Sequence, residues 1–445
     1  MTMPMLRPAL FGYYLRTALA SLRRNILLTA LMIGAIGMGI GAAMTTLTVF
    51  KIISNDPLPD RSARVFHPRL DAQGMSGYVP GAEPHDLLTR YDAEQLLRDK
   101  RGVRQAMMYA GNAVVQSDAA VDMPFRQRIR YTSADFFPMF AVPMRYGQAW
   151  SANEDAAEAR VVVLGSALNQ RLFGGANSVG KRLRINDQEF SVIGVAAPWH
   201  PRPTFYDLNR DGGFAEEEQL FMPFATSRAL RMGFAGNLDC WGPIDKDTGQ
   251  LGLNAPCAWV QYWVELSSAQ DAANYRTYLE NYSSQQRQRG RFERPVNVRL
   301  DNIPQWLDYK RVVPSDVRLQ TWLAFGFLFI CLLNTTGLLL AKFLRRSPEI
   351  GLRRALGAPR SAVFQQCLVE AGLIGMGGGL LGLLLAWCGL WLVRQQAAGY
   401  AALAGMDAST LLGTLALALL ASLAAAVFPA WRACLVAPAS QLKSL

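Results

Sequence analysis

The chain has 445 residues, of which 51% are hydrophobic and 18% charged, and it carries a formal net charge of +11. This composition is too apolar for a wholly soluble protein and too polar for a protein that lies entirely within a bilayer. It therefore predicts a membrane-embedded part joined to a substantial water-exposed part.

Four apolar segments are each long enough to cross a bilayer, which takes roughly 20 residues of helix. They lie at about residues 26–51, 317–342, 363–394 and 410–431. The first follows Arg23 and Arg24, as a secretion signal would. Its apolar run is longer than that of a signal peptide, so we expect an uncleaved anchor.

Positive charge is concentrated in three segments: residues 1–25, the loop at 343–362 with its flanking Lys342, and the tail at 432–445. Together they contain twelve basic residues and one acid, Glu349. The difference, +11, equals the net charge of the whole chain. Basic loops stay on the cytoplasmic side, so both termini are predicted to be cytoplasmic. Residues 52–316 then form a domain on the far side, and 395–409 a short loop there. The charge reflects topology, and no nucleic-acid partner is expected.

The domain at 52–316 is predicted to be α/β. Helical patterns occur at about residues 92–100, 166–173 and 268–289, and strand patterns at 160–164, 182–185, 190–195, 259–266 and 296–300. No extended low-complexity linker interrupts the domain. Residues 1–25 have a helical apolar rhythm that predicts an amphipathic helix on the inner leaflet, in contact with membrane lipids.

Residues 345–359 are predicted to form a short basic helix between the second and third spans. Ser347 is suited to the N-cap, Pro348 to the first helical position, and Gly357 and Pro359 stop the helix. A helix of about nine residues is not stable alone in water, so it must dock against something. Two interpretations are open: a contact surface for a partner, or a positive loop that only orients the spans.

The sequence Glu349-Ile350-Gly351, followed by Ala355 and Gly357-Ala358, resembles the coupling segment of MacB/FtsX-type ABC transporter permeases. Residues 133–137, 161–166, 172–174, 179–181 and 190–195 are similar to the periplasmic core of the same family. So is the ending Pro429-Ala430 with Arg432-Ala433. The chain departs from the family pattern at Arg345, where an acid is common, and in its final residues.

The resemblance implies an α-helical membrane protein with four transmembrane helices and a large α/β periplasmic domain between helices 1 and 2. That domain would have two subdomains, the middle one at about 133–258. The multi-pass chain would lie in the bacterial inner membrane. The residues implied to contact the ATPase are Arg346, Glu349, Ile350, Gly351, Arg353, Ala355, Gly357 and Ala358.

The resemblance also implies partners. A separate ABC ATPase dimer would bind the ATP and Mg²⁺, with no cofactor on this chain, and its motion would reach the outer domain through span two. A second permease copy or a paralogue would complete the membrane part, and a periplasmic adaptor and an outer-membrane channel could join it. The expected role is efflux or extraction of periplasmic or lipid-borne substrates. The alternatives are an FtsX-like transmitter that controls a cell-wall hydrolase, and an anchored receptor without an energy source.

Several partial motif matches would indicate other functions, such as nucleotide or calcium binding, but each match is incomplete. Residues 175–181 nearly spell a P-loop, but Arg182 replaces the magnesium-binding hydroxyl and a strand follows, so nucleotide binding is not expected there. Asp207 to Glu218 has the oxygen spacing of a calcium loop without flanking helices. The three histidines show no metal-ligand spacing, and no catalytic motif is present. The chain is therefore predicted to be a non-catalytic subunit without a metal site.

Cys240 and Cys257 both fall in the outer domain, where an oxidising compartment would pair them; two free buried thiols are the alternative. Small residues let membrane helices approach closely, so helix packing is predicted at Gly37, Gly41, Gly375 and Gly379. Whether Gly37 and Gly41 form a dimer seam is left open. Asn334, Thr335 and Thr336 are predicted to face a neighbouring helix. Glu370 lies close enough to the basic loop for an ion pair, and Arg353 or Arg354 could hold it without any special function.

Overall fold

A computed structural model describes residues 8–116, 123–208, 213–214, 218–396 and 399–435. The chain forms two compact units. One, the membrane unit, combines Met1–Ser54 with Val313–Leu445, and the other, the α/β unit, is Asn55–Val312. The α/β unit is thus inserted between the first span and the second.

Two consecutive helices begin the membrane unit: α1, Pro8–Arg24, and α2, Ile26–Ile53. In α1, Tyr14, Ala18 and Ser21 are buried on one face, whereas Tyr13 and Leu19 are about half exposed. This spacing of three and four residues is that of one helical face, as the amphipathic pattern predicts.

The α/β unit contains twelve strands and seven helices among its described residues. The strands are β1, Val65–Leu70; β2, Leu88–Thr89; β3, Arg104–Gln116; β4, Phe125–Thr132; β5, Met144–Gly147; β6, Val161–Leu164; β7, Arg182–Ile185; β8, Gln188–Ala196; β9, Leu220–Pro223; β10, Asp239–Cys240; β11, Cys257–Glu265; and β12, Val298–Asn302. The helices are α3, Arg90–Asp99; α4, Phe136–Met139; α5, Ala152–Ala156; α6, Ser166–Phe173; α7, Phe224–Ala229; α8, Ala269–Gln288; and α9, Ile303–Tyr309.

The strands form one connected sheet in the order β12-β1-β11-β3-β4-β9-β6-β8-β5, with β2 and β10 paired to β11 and β7 paired to β3 and β8. Most pairs are antiparallel; β4–β9 and β6–β8 are parallel. Strands β5 to β10 come from the middle part that the resemblance implies. They join the rest through the β4–β9, β3–β7 and β10–β11 pairings, so both parts share a sheet and one compact unit.

Apolar side chains cover both faces of this sheet, and every residue of β11 is buried. Burial on both faces explains why β11 reads as a nearly continuous apolar run in the sequence. One large core cluster includes Trp259 and Tyr262. A second cluster, which includes Trp263, packs on the opposite face of the sheet.

The membrane unit continues with α10, Ser315–Arg345; α11, Ser347–Ala355; α12, Arg360–Arg394; and α13, Ala408–Cys434. Helices α2, α10, α12 and α13 are long and apolar enough to span a membrane. The predicted four spans are therefore confirmed, and each helix runs a few residues beyond the predicted apolar stretch at one or both of its ends.

Glycines bring the spans together within one chain. A methyl group on Gly37 or Gly41 of α2 would lie 2.8 Å from the Leu381 side chain or 2.7 Å from the Leu385 Cβ of α12. Gly375 and Gly379 of α12 approach Ser422 and Ala418 of α13 in the same way. These glycines thus pack helices of the same chain, in agreement with the packing prediction.

Of the three polar residues predicted to face a neighbouring helix, Thr335 follows the prediction, whereas Asn334 is exposed on α10. Thr335 is buried and donates a hydrogen bond to the carbonyl oxygen of Cys331, 2.8 Å away. A hydroxyl can return to its own backbone four residues earlier, so the inward position goes to the residue that satisfies itself locally.

Candidate functional site

Helix α11 is the predicted short basic helix, with one correction at its start. Arg346, not Ser347, occupies the N-cap position, and its side chain makes no capping hydrogen bond. Ser347 is the first helical residue, with Pro348 in the first turn. Arg346 also follows the last residue of α10, so a helix break of one residue leaves no room for a separate capping serine. Gly357, with φ of 101°, terminates the segment as predicted.

The two faces of α11 differ in what they contact. Gly351 is buried and Ile350 packs against the apolar core of the membrane unit. On the other face Leu352 is 57% exposed and Leu356, just beyond the helix, is 80% exposed. Two exposed leucines four residues apart on an otherwise charged helix form an apolar surface available to a partner.

Glu349 lies at the centre of an ion-pair network on the surface of this helix. Arg346 Nε is 3.2 Å and Arg353 Nη2 2.9 Å from its carboxylate oxygens. Arg353 also donates to the side-chain oxygen of Gln366 on α12 at 3.0 Å. Partial burial alone would raise the pKa of Glu349, but the hydrogen bond from Arg346 and the charges of the nearby arginines outweigh it and lower that pKa.

Beneath this network lies a buried ionic node, defined as Ser21, Lys342, Arg346 and Glu370. Lys342 Nζ is 2.6 Å from Glu370 Oε1, and both side chains are only 1% exposed. Arg346 Nη1 lies 3.1 Å from Glu370 Oε2 and donates to Ser21 Oγ at 2.8 Å. The Ser21 hydroxyl in turn donates to Glu370 Oε1 at 2.5 Å. One carboxylate therefore connects α1, α10, α12 and the start of α11.

The predicted ion pair between Glu370 and the basic loop is present, but Lys342 and Arg346 form it rather than Arg353 or Arg354. Arg353 binds Glu349 and Gln366, and Arg354 donates to the carbonyl oxygen of Cys434 at the end of α13, 3.0 Å away. Both arginines lie more than one turn beyond Arg346, whereas Lys342 and Arg346 occupy the junction that faces Glu370. Lys342 and Arg346 are four positions apart, a spacing that places two side chains on the same face of a helix.

The structure thus distributes the predicted coupling residues over three environments. Arg346, Glu349 and Arg353 form the ion pairs, Ile350 and Gly351 face inward, and Ala355, Gly357 and Ala358 lie at the more exposed end. Sequence reasoning missed Ser21, Lys342, Leu352 and Leu356. A lysine within an apolar span and the leucine spacing were the available signals; nothing in the sequence marks Ser21.

The weaker motifs have structural explanations. The carboxylates of Asp207 and Glu218, which begin and end the calcium-like pattern, both contact the buried guanidinium of Arg130, Asp207 at 2.6 Å. Asn209, Asp211 and Gly212 lie outside the described residues. After the P-loop-like stretch comes strand β7, not a helix. No group of three or more potential metal ligands occurs within the described part of the chain. Cys240 and Cys257 are joined by a disulfide between β10 and β11.

Comparisons with known proteins agree with this architecture. The family model for the MacB-like periplasmic core domain matches residues 29–282, and the FtsX-like permease C-terminal model matches residues 322–437. The chain is 24% identical over 377 residues to the macrolide export ATP-binding/permease protein MacB of Azoarcus sp., covering 82% of this chain and 50% of that protein. It is 23% identical over 373 residues to the pyoverdine export ATP-binding/permease protein PvdT of Pseudomonas aeruginosa, covering 83% and 50%.

The chain spans about half the length of these curated relatives. Among solved structures, the periplasmic region of MacB from Actinobacillus actinomycetemcomitans is 14% identical, with a TM-score of 0.36, covering 60% of this chain and 98% of that one.

Proposed function

Because the chain belongs to the MacB/FtsX-like family of ABC transporter permeases, we propose that it transmits the motion of an ATP-hydrolysing partner to its α/β unit. In this proposal the nucleotide-binding domains form a dimer on a separate polypeptide. Two permease chains, identical or paralogous, complete the transporter. The work performed is efflux or extraction of periplasmic or lipid-borne substrates.

The observation that carries the proposal is the construction of α11. Its outer face offers Leu352 and Leu356 to a partner, while its start is tied by Arg346 and Glu370 to three other helices. A short helix anchored in this way cannot move without displacing its anchors. Helix α10, which begins three residues after the α/β unit ends, continues the chain from that unit to the anchored end.

The orientation that fits this role places α11 and both termini in the cytoplasm and the α/β unit in the periplasm. Support comes from the charge: basic residues gather at one end of the spans, where α1 ends and α11 lies. The disulfide between Cys240 and Cys257 also fits an oxidising compartment for the α/β unit.

The test is purification of the tagged full chain from native membranes. We expect an ABC ATPase to co-purify with the chain. The chain expressed and purified alone should not hydrolyse ATP. Leu352→Glu/Leu356→Glu should reduce ATPase recovery at least tenfold, because two charges would enter an apolar contact. Leu435→Glu, at an exposed leucine at the end of α13, is the matched control and should retain the ATPase.

Equal recovery of the ATPase from the leucine double variant and the control would contradict the proposed docking face. ATP hydrolysis by the chain alone would contradict its non-catalytic role. The co-purifying proteins also separate two functions, since an adaptor or outer-membrane channel supports export, whereas a cell-wall hydrolase supports regulation. A receptor without an energy source would tolerate changes at Glu349 and Gly351.

A further inference from the structure

A groove of about 560 Å³ opens between the end of α1 and the start of α11, both within the membrane unit. Its polar lining comes chiefly from Ser21, Arg24, Arg345, Arg346, Glu349 and Arg353. The groove lies where α1 gives way to span α2 and where span α10 gives way to α11, so it sits at the membrane surface at one end of both spans.

The charges facing this groove do not balance. Four arginines line it, whereas Glu349 is the one acid among its described lining residues and is already held by Arg346 and Arg353. Glu370, beneath the floor, is matched by Lys342. Within the described residues, neither Arg24 nor Arg345 has a carboxylate close enough for an ion pair. A surplus of about three positive charges therefore faces the groove.

Exposed apolar residues stand next to Arg24 and Arg345 in the sequence, on the side of each that leads into a span. Ile26 and Leu27, which follow Arg24 and Asn25, are 72% and 78% exposed, and Leu344, which precedes Arg345, is 46% exposed. A guanidinium pair next to exposed aliphatic side chains is suited to an amphiphile that presents an anionic head and a hydrocarbon chain. Arginine is the side chain best matched to phosphate oxygens because its planar fork can donate two hydrogen bonds.

We propose that this groove binds the phosphate of an anionic phospholipid, with Arg24 and Arg345 as the principal ligands and Ile26, Leu27 and Leu344 against its acyl chains. Basic pockets between membrane helices are a general means of holding lipid head groups. A bound lipid would bridge α1 and the junction of α10 with α11 and so stabilise the ionic node. The inference rests on the membrane unit alone and does not require the proposed function.

The experiment is native mass spectrometry of the purified full chain in detergent, titrated with phosphatidylglycerol and, in parallel, with zwitterionic phosphatidylcholine. Arg24→Gln/Arg345→Gln removes the two arginines but spares Arg346 and its buried partners. The control, Arg16→Gln/Arg432→Gln, removes the same charge from exposed positions outside the groove. Gel filtration of all three proteins checks that each is folded.

We expect the groove variant to bind phosphatidylglycerol about 10- to 30-fold more weakly than the unaltered chain, with phosphatidylcholine binding unchanged. The control should lose less than about threefold. Equal affinity of the groove variant and the unaltered chain would overturn the proposal, as would equal losses in both variants, which indicate unspecific charge attraction. Displacement of the lipid by millimolar inorganic phosphate would show a free-anion site instead. If the groove variant lost ATPase co-purification but still bound the lipid as the unaltered chain does, the groove would belong to the contact with the ATPase and the lipid proposal would be wrong.

Discussion

Glu370 links several helices of the membrane unit through one carboxylate. Its carboxylate accepts a hydrogen bond from Ser21 of α1 and forms ion pairs with Lys342 of α10 and with Arg346 at the start of α11. A carboxylate in such a buried setting is retained only when cations neutralise it. Removing it would leave the buried ammonium of Lys342 without a counter-ion, so its loss should cost far more than the loss of a surface ion pair.

We expect Glu370→Gln to lower the free energy of unfolding by about 3–5 kcal/mol, the range for breaking a buried ion pair. Lys342→Met/Glu370→Gln should recover a large part of that loss, because Arg346 keeps Glu349 as a partner. Unfolding in sodium dodecyl sulfate, followed by tryptophan fluorescence, measures both variants. With Lys342→Met measured as the second single variant, additive losses in the double variant would show that Lys342 and Glu370 are not coupled.

At the scale of elements, the contact between α2 and α12 depends on glycines that have no room for a side chain. Gly37 and Gly41 face Leu381 and Leu385, and Gly378 of α12 approaches Ile36 in return. Small residues on both helices alternate with large ones, so the backbones come close without a cavity. The small-residue pair of α2 is thus occupied within the chain.

Gly41→Ala should destabilise the membrane unit by about 1–3 kcal/mol, since the added methyl would lie 2.7 Å from Leu385 Cβ in a packed contact. Gly34→Ala is the matched control on the same helix, because a methyl there meets nothing within 4 Å. The control should be neutral or slightly stabilising through helix propensity. Thermal unfolding of the purified full chain compares them; indistinguishable melting temperatures for the two variants would argue against close packing at Gly41.

At the scale of the whole molecule, the chain combines a helical membrane unit with an inserted α/β unit that contains its own cores and disulfide. The family accounts for this division, since one family model matches mainly the inserted part and the other the three later spans. The proposed side of the membrane for each part rests on the charge distribution and is open to a direct test.

Single cysteines provide that test in a Cys388→Ser background. Met123→Cys, at a position 87% exposed in the α/β unit, should react with a membrane-impermeant maleimide in cells with a permeabilised outer membrane. Leu356→Cys, 80% exposed beyond α11, should react only after the inner membrane is opened. The reverse pattern would invert the proposed topology and remove α11 from the reach of any cytoplasmic ATPase.

The sequence by itself determined the four spans, the insertion between the first two, and the position and C-terminal end of α11, because these depend on runs of apolar residues, charge and local stop signals. It also pointed to four glycines that pack, although the close approach of Gly378 came only from the structure. Only the tertiary structure decided that Glu370 pairs with Lys342 and Arg346 and that Ser21 joins the node. It also decided that Thr335 is the buried one among the three polar residues of α10. Such choices depend on which helix faces meet, and residues 349 positions apart, as Ser21 and Glu370 are, leave no local pattern from which their contact could be inferred.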